Sequence, residues 1–510
     1  MKMERKMKVK MKISMKRMFL TLMFAFLGFI TTVSAAITIT VDNTKSLATD
    51  ANSYYVTNQG AITISNIDAG DRLSAYKVLD VYYNQTSNVI SHDFTTDFKA
   101  FLAQSTTYNS LSVQDYMALT SGSIESGSTR TESTLDTLAS AYAGYIKEHT
   151  INGTEMATSG TTATVTAEAG SYLVLPTSTA KVYAVMVGNI DISVTDGDWA
   201  LDDAIIVAKV SEAGITKKSD GKTNVSYEIG EDIPFELNLT VPQYPTNATN
   251  RKYVLTDTMS TGLTFSGIDS IGINDGEAVL TVNAADGSVT DADGQKVATI
   301  KVEDQKITID FDVTKINSTA LKVTYKARLN NNALIGGTNN NCAQLEYSND
   351  PYGEGTFITS ASIDGPGVVI IKTYALSIVK HEKNNLTNVL SDATFEIYRD
   401  QNLTDLQGTV TTGADGIVLV KGLKEGSYWL KETKAPAGYS LIKDAIQVTI
   451  ADADATEGVI TVRVSNAKVG VLPITGGMGT IIFTVSGAVL MIGAIWFIFV
   501  YRKKNSNQEV

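Results

Sequence analysis

Two stretches of this 510-residue chain share a plan: each opens on a strand-like run carrying a lysine and closes on one carrying an asparagine. An amine is a nucleophile only when deprotonated, and burial in an apolar core favours that form. Burial also favours a protonated carboxyl, which can polarise an amide carbonyl. Lysine, acid and asparagine meeting in a dry core would lose ammonia and leave a covalent lock. Other chemistry is scarce. The single cysteine, Cys342, has no partner for an intramolecular disulfide, and its place on a strand suits a small buried side chain better than a reactive thiol. His92, His149 and His381 are far apart in sequence, which argues against a histidine-rich metal site. Asp291-Ala292-Asp293-Gly294 and Asp452-Ala453-Asp454 read as turns, because neither carries the twelfth-position glutamate of a calcium loop. Gly-rich phosphate loops and nucleophile elbows are absent, so no cofactor and no metal are expected, and the chain does not read as an enzyme.

The two ends read as targeting devices. Lys2 to Arg17 carries eight basic residues and one acid, followed by a 13-residue apolar run from Met18 to Ile30 and small residues at Val33-Ser34-Ala35. That is the layout of a secretory signal peptide, residues 1–35. Near the other end, residues 480–501 form a 22-residue run without a charge, followed by Arg502-Lys503-Lys504. At ~1.5 Å per residue such a helix spans ~33 Å, enough for a bilayer core. The basic triplet, in residues 502–510, suits the cytoplasmic side. Between the two devices remain 31 basic and 52 acidic residues, a net charge of −21. Nothing there supplies a basic face for phosphates, so no nucleic-acid partner is expected.

The body divides into three units. Residues 36–209 alternate as strands at Ile37-Thr38-Ile39-Thr40-Val41 and Ala61-Ile62-Thr63-Ile64, and Leu135, Leu138, Tyr142 and Tyr145 recur at helical spacing. Residues 210–365 and 366–468 read as short alternating strands punctuated by Gly, Asn and Asp. The expected fold is mainly β: tandem immunoglobulin-like β-sandwich domains in an elongated array, the first with a helical insert.

Within this frame, Tyr428-Trp429-Leu430-Lys431-Glu432-Thr433-Lys434-Ala435-Pro436-Ala437-Gly438-Tyr439 resembles the E-box of collagen-adhesin B-type domains, pattern YxLxETxAPxGY. The resemblance implies an isopeptide bond between Lys380 and Asn466, promoted by Glu432. Residues 210–365 resemble the isopeptide-forming domain of fimbrial major subunits, through Ile215-Thr216-Lys217, residues 230–236, Thr256-Asp257-Thr258-Met259 and residues 341–349. That pattern implies a bond from Lys217 to Asn341. Alternation puts Asn341 on one strand face with Ala343, Leu345 and Tyr347, with Cys342 on the other. Asn340 is a register-shifted rival for Asn341. Asp257 is the expected acid, with Glu236 as the alternative.

Leu472-Pro473-Ile474-Thr475-Gly476, in residues 469–476, followed by the apolar span and basic tail, resembles the LPXTG cell-wall sorting signal of Gram-positive surface proteins. A sortase would cut after Thr475. Trp199 to Lys209 resembles the pilin motif WxxxVxVYPK, with departures: Ala208 stands for Pro, Val207 for Tyr, and Trp199 is one residue further from the lysine. Lys209 is thus the expected intersubunit lysine, with Lys181, Lys217 and Lys218 as other nucleophiles. Together the resemblances imply the major subunit of a sortase-assembled surface pilus, secreted and anchored to the cell wall. Its partners would be identical subunits, pilus and housekeeping sortases, peptidoglycan, minor pilins and host surface molecules. The alternative is a wall-anchored adhesin that never polymerises.

Overall fold

The computed structural model describes residues 36–120, 132–195, 197–245, 248–274, 276–316, 318–359, 365–452, 457–470 and 478–505. Strands dominate, as the alternation predicts. In the first unit an eight-stranded sheet runs in the order Val41–Leu47, Asp50–Val56, Arg72–Asn84, Gly170–Ser178, Met186–Thr195, Asp198–Asp202, with Val89–Phe94 and Thr154–Glu155 added to the long third strand. A four-stranded sheet packs against it, in the order Ala204–Val207, Gln59–Ser65, Thr162–Glu168, Ala157–Ser159. Ile62, Ile64, Val174 and Ile190 lie in the core of this sandwich. Three helices, Thr96–Gln104, Val113–Thr120 and Glu132–Glu148, belong to a second core with Phe98, Phe101, Leu138, Tyr142 and Leu173. Leu138 and Tyr142 are buried and Leu135 and Tyr145 half-buried, as their helical spacing predicts.

The expected opening strand begins later than its alternation suggests, at Val41. Residues before it are held by isolated backbone bonds, Ile37 N to Trp199 O and Thr57 N to Thr40 O, each 2.8 Å, and by one asparagine. Asn58 Nδ2 donates to Thr38 O at 2.9 Å, and Asn58 Oδ1 accepts from Thr40 N at 2.7 Å. Asn58 thus supplements two backbone bonds where a continuous ladder was expected.

In the second unit, hydrogen-bonded strands curl around one core. Gly214–Lys218 pairs with Asp232–Thr240, which pairs with Ala320–Leu329 and then Leu263–Ile273. The other layer sets Lys306–Phe311, Tyr253–Met259, Asn339–Ser348 and Val368–Lys372 side by side, so the second unit runs past the expected boundary at residue 365 to Lys372. In the third unit Tyr374–Glu382 lies between Ile417–Leu423 and the parallel last strand Val459–Asn466. The facing sheet contains Thr394–Tyr398, Gly426–Lys434 and Ile446–Ile450.

The units interlock. Tyr352, from a loop of the second, enters the helical core of the first, and its hydroxyl donates to Ser140 Oγ at 2.5 Å. Beside it Lys147 Nζ meets Asp350 Oδ2 at 2.7 Å. Between the second and third units, Glu228 pairs with Arg399 and accepts from Tyr428 OH at 3.0 Å. Lys424 pairs with Glu231. After the third unit comes the helix Met478–Asn505, whose stretch Ile481–Arg502 has a mean hydropathy of 2.4 and exposed apolar side chains.

Candidate functional site

Two buried clusters stand out, one in each of the last two units. In the third unit, Lys380, Glu432 and Asn466 are each at most 1% exposed. The first and last strands are neighbours, with Lys380 opposite Val464 and Glu382 opposite Asn466. Alternation then turns Lys380 and Asn466 toward the same core. Glu432 reaches them from the facing sheet, where Tyr428, Leu430 and Glu432 point inward in turn.

The contacts converge. Lys380 Nζ donates to Asn466 Oδ1 and lies 3.0 Å from Glu432 Oε1. Asn466 Nδ2 is 3.0 Å from both Glu432 oxygens. Ile442 N donates to Glu432 Oε2 at 2.8 Å. That last bond explains the tail of the E-box. Gly438 takes a φ of 84°, a left-handed conformation that favours glycine, in a turn closed by Tyr439 N to Pro436 O at 3.1 Å. The turn brings residue 442 back over the carboxylate. The ring of Phe395, 5.4 Å from the ammonium, completes the pocket. Burial pushes the Lys380 amine below its ordinary pKa, against the pull of Glu432.

In the second unit, Lys217 and Asn341 are fully buried and Asp257 is 1% exposed. Lys217 Nζ donates to Asp257 Oδ1 at 2.6 Å and Oδ2 at 2.7 Å. Tyr325 OH donates to Asp257 Oδ2 at 2.6 Å and accepts from Asn341 Nδ2 at 2.6 Å. Asn341 Oδ1 is buried without a hydrogen-bond partner. The rings of Phe235 and Tyr325 lie 5.1 and 5.6 Å from the ammonium. Burial pushes Lys217 down to about 8, again against the pull of its carboxylate.

Tyr325 is the member that sequence reading missed. Its signal was available: on Ala320–Leu329 the inward residues are Leu321, Val323, Tyr325, Ala327 and Leu329, and one carries a hydroxyl. Asp257 was visible in the same way, as the acid on the inward face Tyr253, Leu255, Asp257, Met259. The alternative acid, Glu236, is on the outer face and pairs with Lys322 at 2.7 Å. Asn340 also faces away from the core and is half-buried. Cys342 is half-buried on that same face, where burial raises its thiol pKa.

Lys209 is exposed, two residues beyond the strand Ala204–Val207. Its carbonyl accepts from Ala184 N at 3.0 Å. Trp199 is in a different layer, on Asp198–Asp202, and meets Tyr83 edge-on at 5.8 Å. The chain changes layers at Asp203, whose Oδ1 accepts from Ala61 N at 2.7 Å. Lys181 is engaged by Asp68 at 3.0 Å and Glu212 at 2.7 Å. Lys218 is exposed, on the opposite strand face from Lys217. The signal peptide, Leu472, Pro473, Ile474, Thr475 and Gly476 lie outside the described residues. So does Asp454; Asp452 pairs with Lys372 at 2.5 Å. Asp291 Oδ1 accepts from Asp293 N and Gln295 N within its own turn. Among the described residues no group of three His, Cys, Asp or Glu is placed to hold a metal ion.

Comparison with known proteins adds three matches along the chain. Residues 229–351 match a family described as Gram-positive pilin backbone subunit 2, Cna-B-like domain. Residues 375–468 match the SpaA prealbumin-like fold domain, and residues 464–507 the LPXTG cell wall anchor motif. A curated relative, the trypsin-resistant surface T6 protein of Streptococcus pyogenes, is 27% identical over 383 residues, which cover 58% of this chain and 70% of the relative. Fimbrial subunit type 2 of Actinomyces naeslundii is 26% identical over 365 residues, covering 62% and 65%. Among solved structures, the T6 backbone pilin of S. pyogenes superposes with a TM-score of 0.59 at 20% identity, covering 81% of this chain and 99% of that one. The full-length major pilin SpaD from Corynebacterium diphtheriae gives 0.50 at 18% identity, covering 81% and 98%. These structural likenesses speak to the fold.

Proposed function

We propose that this chain, which carries a Gram-positive pilin backbone domain and an LPXTG cell-wall anchor, is the shaft subunit of a covalently polymerised surface pilus. The observation that carries the reading is their coexistence on one chain with curated relatives among surface and fimbrial proteins. The apolar helix Met478–Asn505 holds the precursor in the membrane. A sortase cleaves between Thr475 and Gly476, and the Thr475 carbonyl passes to Lys209 of a neighbouring subunit. Repetition builds the fibre, and its last subunit joins the peptidoglycan.

The two buried clusters supply internal crosslinks. In each, the lysine Nζ attacks the asparagine Cγ. The carboxyl of Asp257 or Glu432 takes the proton the amine sheds and delivers it to Nδ2, which departs as ammonia. The new Nζ–Cγ bond replaces the old Cγ–Nδ2 bond. In a dry core the charged ammonium is disfavoured by a desolvation cost that runs to several kcal/mol per ion. Lys217 and Lys380 are therefore held close to their reactive form.

The test is a denaturing gel of cell-wall extracts. Wild-type cells should give a ladder of high-molecular-weight species, and Lys209→Ala cells a single monomeric band. A ladder that persists in the variant would move the junction to another lysine. Absence of a ladder in the wild type would favour the adhesin reading.

A further inference from the structure

The two clusters reach the leaving amide in different ways. In the third unit a single carboxylate meets both partners. Glu432 comes from the facing sheet, with Oε1 3.0 Å from Lys380 Nζ and both oxygens 3.0 Å from Asn466 Nδ2. In the second unit the acid is one methylene shorter and stands in the asparagine's own layer. Tyr253–Met259 and Asn339–Ser348 are neighbours there, with Asp257 opposite Ala343 and Met259 opposite Asn341. Both Asp257 oxygens accept from Lys217, and among the described residues no hydrogen bond joins Asp257 to Asn341. The place that Glu432 takes, on the facing layer, is filled by Tyr325 of Ala320–Leu329. Its hydroxyl touches both groups, donating to Asp257 Oδ2 and accepting from Asn341 Nδ2, each at 2.6 Å.

Protonation and rigidity match the placement. Tyr325 is buried, and burial first, then the charge of Asp257, push its hydroxyl well above the ordinary pKa, so it holds its proton at neutral pH. Its ring stacks on Phe235 at 5.2 Å and tilts against Phe265 at 6.0 Å, which fixes the hydroxyl between the two groups. A hydroxyl is donor and acceptor at once, so it can give one proton while taking another. We propose that Tyr325 is a catalytic residue of the second unit's crosslink, relaying a proton from the Asp257 carboxyl to Asn341 Nδ2. This rests on the reading of Lys217 and Asn341 as partners in an isopeptide bond. The step balances. Lys217 Nζ attacks Asn341 Cγ, and the proton it sheds replaces on Asp257 the one that Asp257 passes to the Tyr325 oxygen. Tyr325 gives its own proton to Nδ2, the Cγ–Nδ2 bond breaks and ammonia leaves. Asp257 and Tyr325 end as they began. An aspartate and a tyrosine together span what one glutamate spans in the third unit.

The test follows bond formation in full chains from pulse-labelled cells, recovered at successive times. The peptide joined through Lys217 and Asn341 is measured against the one joined through Lys380 and Asn466, which serves as a clock within the same molecules. Absence of the Lys217–Asn341 peptide from the wild type would overturn the crosslink reading itself, and is read before any variant. Phenylalanine at position 325 keeps the ring contacts with Phe235 and Phe265, so the core around it is retained. In Tyr325→Phe chains the second-unit bond should form about a hundredfold more slowly, with the third-unit bond unchanged. Equal rates in this variant and the wild type would overturn the relay. An Asp257→Glu/Tyr325→Phe chain separates proton transfer from mere support, since the longer carboxylate can meet Nδ2 directly, as Glu432 does. There the bond should return to within about tenfold of the wild-type rate. A double variant as slow as Tyr325→Phe would overturn the relay and leave the hydroxyl a structural contact.

Discussion

A lysine taken into an apolar core loses hydration, and Lys217 loses all of it: the side chain is fully buried over two aromatic rings. Its pKa of about 8, against the ordinary 10.5, has a stability consequence that can be read once the bond is prevented. In an Asn341→Ala chain, native Lys217 releases its proton near pH 8 and the unfolded chain near 10.5. Between those values the unfolded state binds more protons, so stability rises with pH and is lost as pH falls back toward 8. The rise is at most roughly 3 kcal/mol. Urea unfolding between pH 7.5 and pH 10.5, buffers chosen to bracket that window, should show it, and an Asn341→Ala/Lys217→Met chain should lack it. Equal slopes for the two chains would remove Lys217 as the titrating group. Tyr325 belongs to the same cluster, because its hydroxyl connects Asp257 to Asn341.

At the scale of elements, the first unit borrows a side chain. Tyr352 comes from the loop after Asn339–Ser348, yet it is buried among the helices Val113–Thr120 and Glu132–Glu148 with Leu173 and Leu175. The reverse also occurs, since Val182 of the first unit sits in the core of the second. Removing an aromatic ring from such a site costs about 3–5 kcal/mol, whereas losing only the hydroxyl costs about 1 kcal/mol. Thermal unfolding should therefore show Tyr352→Ala with its melting temperature lowered by several degrees, and Tyr352→Phe close to wild type. A Tyr352→Ala chain that melts like the wild type would mean that the first unit is stable without the plug. The second and third units meet through charge, with Glu228 and Glu231 facing Arg399 and Lys424, and through Ile229, which packs on Gly422 and donates its N–H to Gly422 O at 3.0 Å. Tyr428 opens the E-box pattern, and its hydroxyl lies 3.0 Å from both Glu228 Oε1, across the junction, and Lys424 O in its own unit. Part of that motif thus serves the joint between units rather than the crosslink.

For the whole molecule, two crosslinks would leave the intact chain about 34 Da lighter than its sequence mass, one ammonia per bond. Mass spectrometry should find that deficit in the secreted chain, and about 17 Da in Asp257→Ala or Glu432→Ala chains, each keeping one bond. An unchanged mass in the wild type would sink the crosslinks. The apolar span, the basic tail and the LPITG run were legible because such signals are local, written in consecutive residues and read without a fold. The lysine and asparagine of each cluster were nearly as legible: alternation states which face a strand residue takes, and both ends carry recognisable patterns. Choosing Asp257 over Glu236 was harder, since each lies on a strand within a matched pattern. Their faces differ: Glu236 turns outward to Lys322, and Asp257 inward to Lys217. The entry of Tyr352 into a foreign core and the bare side of Ala204–Val207, with Ile205 and Val207 exposed, came only with the tertiary structure. Each depends on which distant strands become neighbours, and that is settled by packing among side chains far apart in the chain. Sequence determined what this protein is built to be joined by; the assembled cores decided which groups meet, and which strand edge is left open.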